Sequence, residues 1–148
     1  MRPFKFIALS LLLPAFLSPM AFAVGSSDDE PNHDDIYSRA LSHIDAGRYR
    51  SAVRDLRTFL RENPNDAEAW NWLGFSARNT GRFDLSWDAY DRALAIDPEH
   101  LGAMNYLGHL YLTRGDMAGA ETMAARLFET CGDCYEYNEL IAAIAAVQ

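Results

Sequence analysis

Cys131 and Cys134, separated by Gly132 and Asp133, carry the most chemical capability in this sequence. Two cysteines at that spacing support three chemistries: a structural disulfide, thiol–disulfide exchange, or metal ligation. Exchange sites of the Cys-x-x-Cys type belong to a βαβ context, and no such pattern surrounds residues 131–134. Haem attachment needs His after the second Cys, where Tyr135 stands. A four-ligand zinc site needs two further Cys or His. The histidines His33, His43, His100 and His109 never pair at i, i+4, the spacing that puts two ligands on one helix face. Gly-x-Ser-x-Gly, a phosphate-binding Gly-rich loop and His-Glu-x-x-His are all missing from the sequence. The acidic residues are scattered and form no recognisable acid–base pair. The expectation is a protein that is not an enzyme and holds no cofactor. Its Cys pair reads first as a structural disulfide, with a small thiol-redox or metal-handling protein as the competing class.

The elements that place these residues follow from hydrophobic periodicity. Residues 36–46, 49–62, 68–80, 83–96, 101–114 and 117–130 each carry an apolar stripe at helical spacing. Gly47, Gly81 and Gly115 stand between the members of successive pairs, spaced by 34 residues. The same step of 34 relates Ala40, Gly74 and Gly108, then Ala52, Ser86 and Ala120, and Leu60, Leu94 and Phe128. Pro64 and Pro98 obey it too, and their third place is Gly132. Small residues at fixed positions let two helices approach, Gly ends the first helix of each pair, and Pro ends the second. The Cys pair brackets the third of these corners and reads as a covalent staple where the earlier repeats use Pro. Residues 133–147 form a seventh helix, with Asp133 and Glu136 at capping-box spacing. Its stripe of Tyr137, Leu140, Ile141, Ile144 and Ala145 is expected to pack on the 117–130 helix and close the stack.

Trp70, Leu73, Gly74, Ala89, Tyr90, Ala93 and Pro98 together resemble the tetratricopeptide repeat family. The third repeat keeps Leu107, Gly108, Tyr111, Ala120 and Leu127. The first is degenerate, with Arg39 where Leu is expected. The resemblance implies an all-α, right-handed superhelix of three helix-turn-helix repeats, 33–66, 67–100 and 101–134, plus a C-terminal capping helix over 133–147. It also implies a concave surface, lined by the first helix of each repeat, that binds peptides. By position, that surface comprises Asp34, Tyr37, Leu41 and Ile44, then Glu68, Asn71, Phe75, Arg78 and Asn79, then Asn105, His109 and Leu112. Asn71 and Asn105 are equivalent by the 34-residue step and are expected to face a peptide backbone with donors and acceptors. The family's carboxylate clamp uses Lys, and no Lys stands in that region.

Residues 1–23 have a basic start, an apolar stretch broken by Pro14 and an Ala-Phe-Ala end, the pattern of a secretory signal cleaved after Ala23. Residues 24–32 then form an acidic, solvated linker ahead of a domain over 33–148. Cleavage removes the two positive charges of Arg2 and Lys5 and takes the formal charge from −8 to −10. A chain so acidic and without Lys is a poor partner for nucleic acid or anionic lipid, so neither nucleic-acid binding nor membrane insertion after cleavage is expected. These features combine into one expectation: a non-catalytic adaptor or scaffold, periplasmic or secreted, that binds a protein or peptide segment. Self-association is the further alternative, because three repeats are near the minimum for a stable stack.

Overall fold

The computed structural model describes residues 33–147, so the expected signal (1–23) and linker (24–32) lie outside the described residues. Seven helices follow in order: α1 (His33–Asp45), α2 (Tyr49–Glu62), α3 (Ala67–Arg78), α4 (Phe83–Ile96), α5 (Leu101–Thr113), α6 (Met117–Cys131) and α7 (Tyr135–Ala146). Consecutive helices pack as antiparallel pairs α1–α2, α3–α4 and α5–α6, and each pair packs on the next. The all-α superhelix of three helix-turn-helix repeats is therefore present.

The turns explain the glycine period. Gly81 closes α3 with φ of 74°, and Gly47 and Gly115 do the same for their helices at 66° and 76°. A side chain at such an angle clashes with its own backbone. The small residue inside each first helix has a different cause. A Cβ on Gly74 would stand 2.5 Å from the Tyr90 ring, so the buried Tyr90 packs directly against the α3 backbone. Ser86 adds a bond there, donating its hydroxyl to the Gly74 carbonyl at 2.8 Å.

Two apolar clusters form the core, one over α1–α3 with Ala89 of α4, and one over α4–α7 with Ala103 to Leu110 of α5. Trp70 packs against both. It is half-buried rather than enclosed, and its indole N–H donates to the Pro64 carbonyl at 2.8 Å. The second repeat's signature Trp thus joins the two halves of the core and pins the turn before its own helix.

The degeneracy of the first repeat is compensated. Where later repeats hold Leu73 with Ala89 and Leu107 with Met123, the first holds Arg39 with Asp55. Arg39 Nε donates to Asp55 Oδ2 at 2.7 Å, and His43 Nε2 lies 3.6 Å from the same oxygen. Asp55 is buried, and a buried carboxylate persists only when its charge is partnered. The apolar pair has been exchanged for an ionic one at the same two positions.

The last helix packs on α6 as expected and differs from expectation in register. The first helices begin at 33, 67, 101 and 135, a step of 34 throughout, so α7 occupies the first-helix place of a fourth repeat. It packs on α5 as well as α6. Leu140 fills the space over Gly108, where a Cβ would strike its methyl carbons, as Tyr90 does over Gly74. The residue preceding α7 is Cys134, in the place of the capping Asp66 and His100, and it makes no side-chain cap. The Asp133–Glu136 capping box is therefore not formed, because the helix starts one residue too late for it. Asn138 Nδ2 instead donates to the carbonyls of Asp133 and Cys134, both at 3.0 Å.

Cys131 and Cys134 are joined as a disulfide with Cα atoms 5.7 Å apart. Gly132 between them has φ of 67°, which turns the chain where Pro64 and Pro98 turned it before. The bond ties the end of α6 to the start of α7. Closing a loop this short removes little unfolded-state entropy, about 2 kcal/mol on the chain-entropy scale. Replacing both cysteines by Ser should lower unfolding free energy by up to about that amount. Urea denaturation of the oxidised wild type and the double variant measures it, and a far larger loss would mean that the bond holds more than this corner.

Candidate functional site

Helices α1, α3, α5 and α7 are the first helices of their repeats; α5 packs on α3 and on α7, and a polar seam joins these three. His100, the N-cap of α5, accepts the Ala103 N–H on Nδ1 at 3.3 Å and places Nε2 2.8 Å from Glu68 Oε2 of α3. Asn105 Nδ2 donates to the Glu136 carbonyl of α7 at 2.8 Å, and His109 Nε2 stands 3.3 Å from Glu139 Oε1. These contacts fix the spacing of neighbouring first helices and hence the curvature of the face they make.

Asn71 and Asn105 are therefore not on the open face. Their exposures are 2% and 1%. Asn105 is used by α7, and the Asn71 amide nitrogen lies 3.2 Å from where a Cβ on Gly102 would stand. Both amides are buried between successive first helices, and both carboxamide oxygens are left without a hydrogen-bond partner. The expectation of two amides presented to a peptide backbone is corrected. Position alone put them inward, whereas closely packed first helices enclose them.

The other expected positions have a different setting. Tyr37, Leu41, Ile44, Phe75, Arg78, His109 and Leu112 are part-exposed, and Glu68 and Asn79 are more open. The side chain of Asp34 lies outside the described residues. Phe75 is the centre of an aromatic patch. Its ring centroid lies 5.1 Å from Tyr106, 5.7 Å from Trp72 and 5.8 Å from Tyr49. Tyr106 continues the patch to the buried Tyr90 at 6.3 Å. The Arg78 guanidinium sits 5.9 Å from the centroids of both Phe75 and Tyr106, a cation–π arrangement that holds a charge over the rings. Tyr37 packs on Phe59 at 4.9 Å and forms the α1 end of the face.

Sequence reasoning passed over Trp72 and Tyr106 as members of this face, and Tyr49 and Glu139 at its edges. A signal for two of them existed: Trp72 and Tyr106 are one 34-residue step apart, the same relation that was used for Asn71 and Asn105. The aromatic residue beside each Asn, rather than the Asn, is the open one.

Electrostatics on the face are mixed. Burial first, then the Glu68 and Asp66 carboxylates, pushes the Tyr37 phenol up to about 12. Burial first, then Glu139, raises Tyr106. Burial also lowers His109, so its imidazole favours the neutral form despite Glu139. His100 is raised by its hydrogen bond to Glu68, and that same bond lowers Glu68. Among the described residues no group of three or more His, Cys, Asp or Glu is placed to hold a metal ion, and no helix is long and apolar enough to cross a membrane.

The Glu68–His100 pair gives a pH signature. A His raised on folding stabilises the fold below its ordinary value, and that stabilisation is lost as pH rises through the raised value. A Glu lowered on folding stabilises above its ordinary value and loses this as pH falls through the lowered one. The pair therefore contributes most between the ordinary carboxylate and imidazole ranges, at roughly pH 5 to 6. The stability difference between wild type and Glu68→Gln should be largest there and shrink toward pH 8.5. Denaturation midpoints across that range measure it, and a difference that does not change with pH would mean the pair is energetically idle.

Comparison with known proteins places this geometry. The tetratricopeptide repeat family model matches residues 37–100 and 76–132. The "Probable biofilm formation methyltransferase WspC" of Pseudomonas aeruginosa is 32% identical over 117 residues, which are 79% of this chain and 25% of that protein. The chain thus spans about a quarter of the length of that curated relative. Among solved structures, the type III secretion chaperone SycD of Yersinia enterocolitica, in complex with a peptide of the translocator YopD, superposes with a TM-score of 0.68. Identity is 20%, and the match covers 76% of this chain and 86% of that one. The first repeat domain of Spaghetti (RPAP3), bound to the HSP90 peptide SRMEEVD, superposes with a TM-score of 0.71 at 12% identity, covering 78% and 91%. With its 34-residue helix pairs, its Gly74–Tyr90 packing and this family match over most of its length, the chain belongs to the tetratricopeptide repeat family.

Proposed function

We propose that this protein is a non-catalytic adaptor of the bacterial cell envelope that binds a peptide or protein segment on its first-helix face. The observation that carries the reading is the part-exposed patch of Trp72, Phe75 and Tyr106 under Arg78. Aromatic rings bury large area with little rotamer entropy to lose, and Arg offers five donors, so the two types dominate the energetics of protein contacts. Rings already packed against one another are preorganised, which lowers the cost of ordering a surface on binding. Proteins of the same fold, SycD and the Spaghetti domain, hold peptides of YopD and HSP90. Those likenesses, below 25% identity, support a peptide as the class of partner and say nothing of its sequence.

The envelope setting rests on the secretory pattern of residues 1–23 and agrees with a Cys pair joined as a disulfide, since such bonds persist in oxidising compartments. The disulfide closes a corner between two helices and has no βαβ surroundings among the described residues, so the thiol-exchange reading gains no support from the fold.

Affinity capture from envelope extract, with the mature protein as bait, tests the binding reading. Phe75→Ala combined with Tyr106→Ala should cut recovery of specific partners at least about tenfold while the helical signal is retained, as for removal of hot-spot aromatics. Undiminished recovery by the double variant would remove the aromatic face as the binding surface. Cell fractionation with mass measurement tests the setting: a chain lacking residues 1–23 in the periplasmic fraction is expected, and full-length protein confined to the cytoplasmic fraction would contradict the envelope assignment.

A further inference from the structure

Arg78 carries a charge that its surroundings leave unanswered. It is the only Lys or Arg in α3, α5 and α7, and the one other first-helix cation, Arg39, is spent on Asp55. Glu68 and Glu139, carboxylates of the same face, stand against His100 at 2.8 Å and His109 at 3.3 Å. Among the described residues no carboxylate pairs with Arg78. The groups that feel its charge are Tyr90, Tyr106 and His109. All three favour their neutral forms, because burial raises the two phenols and lowers the imidazole.

The unspent hydrogen-bonding capacity here is all on the donor side. Arg78 Nε is buried without a partner, and so is the hydroxyl of Tyr90, a residue with no exposed surface. The polar neighbours of that hydroxyl are Arg78 and Ser86, and Ser86 already gives its proton to the Gly74 carbonyl. A guanidinium only donates, so even where Tyr90 accepts from Arg78, the Nε–H and the phenol proton still need acceptors. A buried donor left unmatched is costly, and an accepting partner removes that cost. The Phe75 and Tyr106 rings flank the guanidinium and hold it on a part-exposed surface, and its planar fork matches the two oxygens of a carboxylate. We infer that the first-helix face reads one acidic side chain, Asp or Glu, in the segment it binds, received by Arg78 while apolar residues of that segment lie on Trp72, Phe75 and Tyr106. The inference rests on that face being the binding surface and adds the chemistry of what is bound there. It is not the family's clamp for a chain end, since no Lys stands there and Asn71 and Asn105 are enclosed. The acidic excess of the chain disfavours a run of acids and fits a single one among apolar residues.

A random heptapeptide library displayed on phage is the probe. Each peptide is fused through its C-terminus, so every carboxylate it offers is a side chain. The bait is the full chain as recovered from cells. Wild type should enrich peptides with one Asp or Glu at a fixed position among apolar residues. Arg78→Gln should lose that preference while still selecting the apolar residues. Arg78→Glu should select Lys or Arg at the same position, a reversal that a purely structural Arg would not produce. A synthetic peptide of the strongest clone, amidated at its C-terminus, then measures the coupling. Changing its acid to the corresponding amide should weaken binding to wild type at least about tenfold, and to Arg78→Gln less than about twofold. Circular dichroism checks that each variant keeps the wild-type helical signal, and the change in the peptide tests the contact even where a protein variant does not fold. Selected peptides that show no acid preference, yet are lost in the Phe75→Ala, Tyr106→Ala double variant, overturn the inference and leave the binding face standing. Peptides that the double variant holds as well as wild type overturn the face itself, and the inference with it. Binding that requires a free C-terminal carboxylate on the synthetic peptide would assign Arg78 to a chain end and also overturns the inference.

Discussion

The structure depends on one close approach, the contact of an aromatic or branched side chain with the bare backbone of a first helix. Tyr90 meets Gly74 and Leu140 meets Gly108 in this way. Each contact brings a helix within the reach of dispersion forces along its length. The repeat is the stretch of chain that makes the contact, turns and presents the same position again. Everything at the 34-residue step, including the Gly turns and the position of Trp70, serves to reproduce it. The third instance is the informative one. Position 124, where Tyr90 would recur, is Ala, and Leu140 from the next first helix takes over the space. This substitution draws α7 against α5 as well as α6 and leaves Ile141 facing outward.

Most of the fold was legible from this step because the contact constrains residue type on both sides. A Gly in a helix interior costs about 1 kcal/mol relative to Ala, so its recurrence at 74 and 108 is evidence of packing, not chance. The first repeat was legible by register alone. Its Arg39 looked like decay of the pattern until Asp55 supplied the opposite charge from the second helix. That compensation joins residues 16 apart by a non-repeating solution, and no periodic argument finds it. The last helix was placed on α6 correctly, but its packing on α5 was not foreseen, for a related reason. Its apolar stripe was recognised, but a stripe says that a face is buried without saying by how many neighbours.

The candidate face was less legible than the scaffold. Family position places a residue on the inner side of a first helix, but exposure there depends on how closely the next first helix approaches. The Glu68–His100 and Asn105–Glu136 contacts bring neighbouring helices close enough to enclose Asn71 and Asn105. The larger rings of Trp72 and Tyr106, one residue on, remain partly at the surface, where Arg78 covers two of the aromatic rings. The polar groups therefore set the spacing of the first helices, and the aromatic groups are left part-exposed on the face. The disulfide belongs to the same division of labour: it fixes the corner from which α7 extends, in the place where Pro served the earlier repeats.

The central claim, that the first-helix face is where a partner lies, is tested most directly by site-specific photo-crosslinking in living cells. A benzophenone side chain is placed at Phe75 on the first-helix face in one strain and at Arg57 on α2 in another. The account predicts a discrete crosslinked product from position 75 and background from position 57. Crosslinking from position 57 with none from position 75 would contradict it.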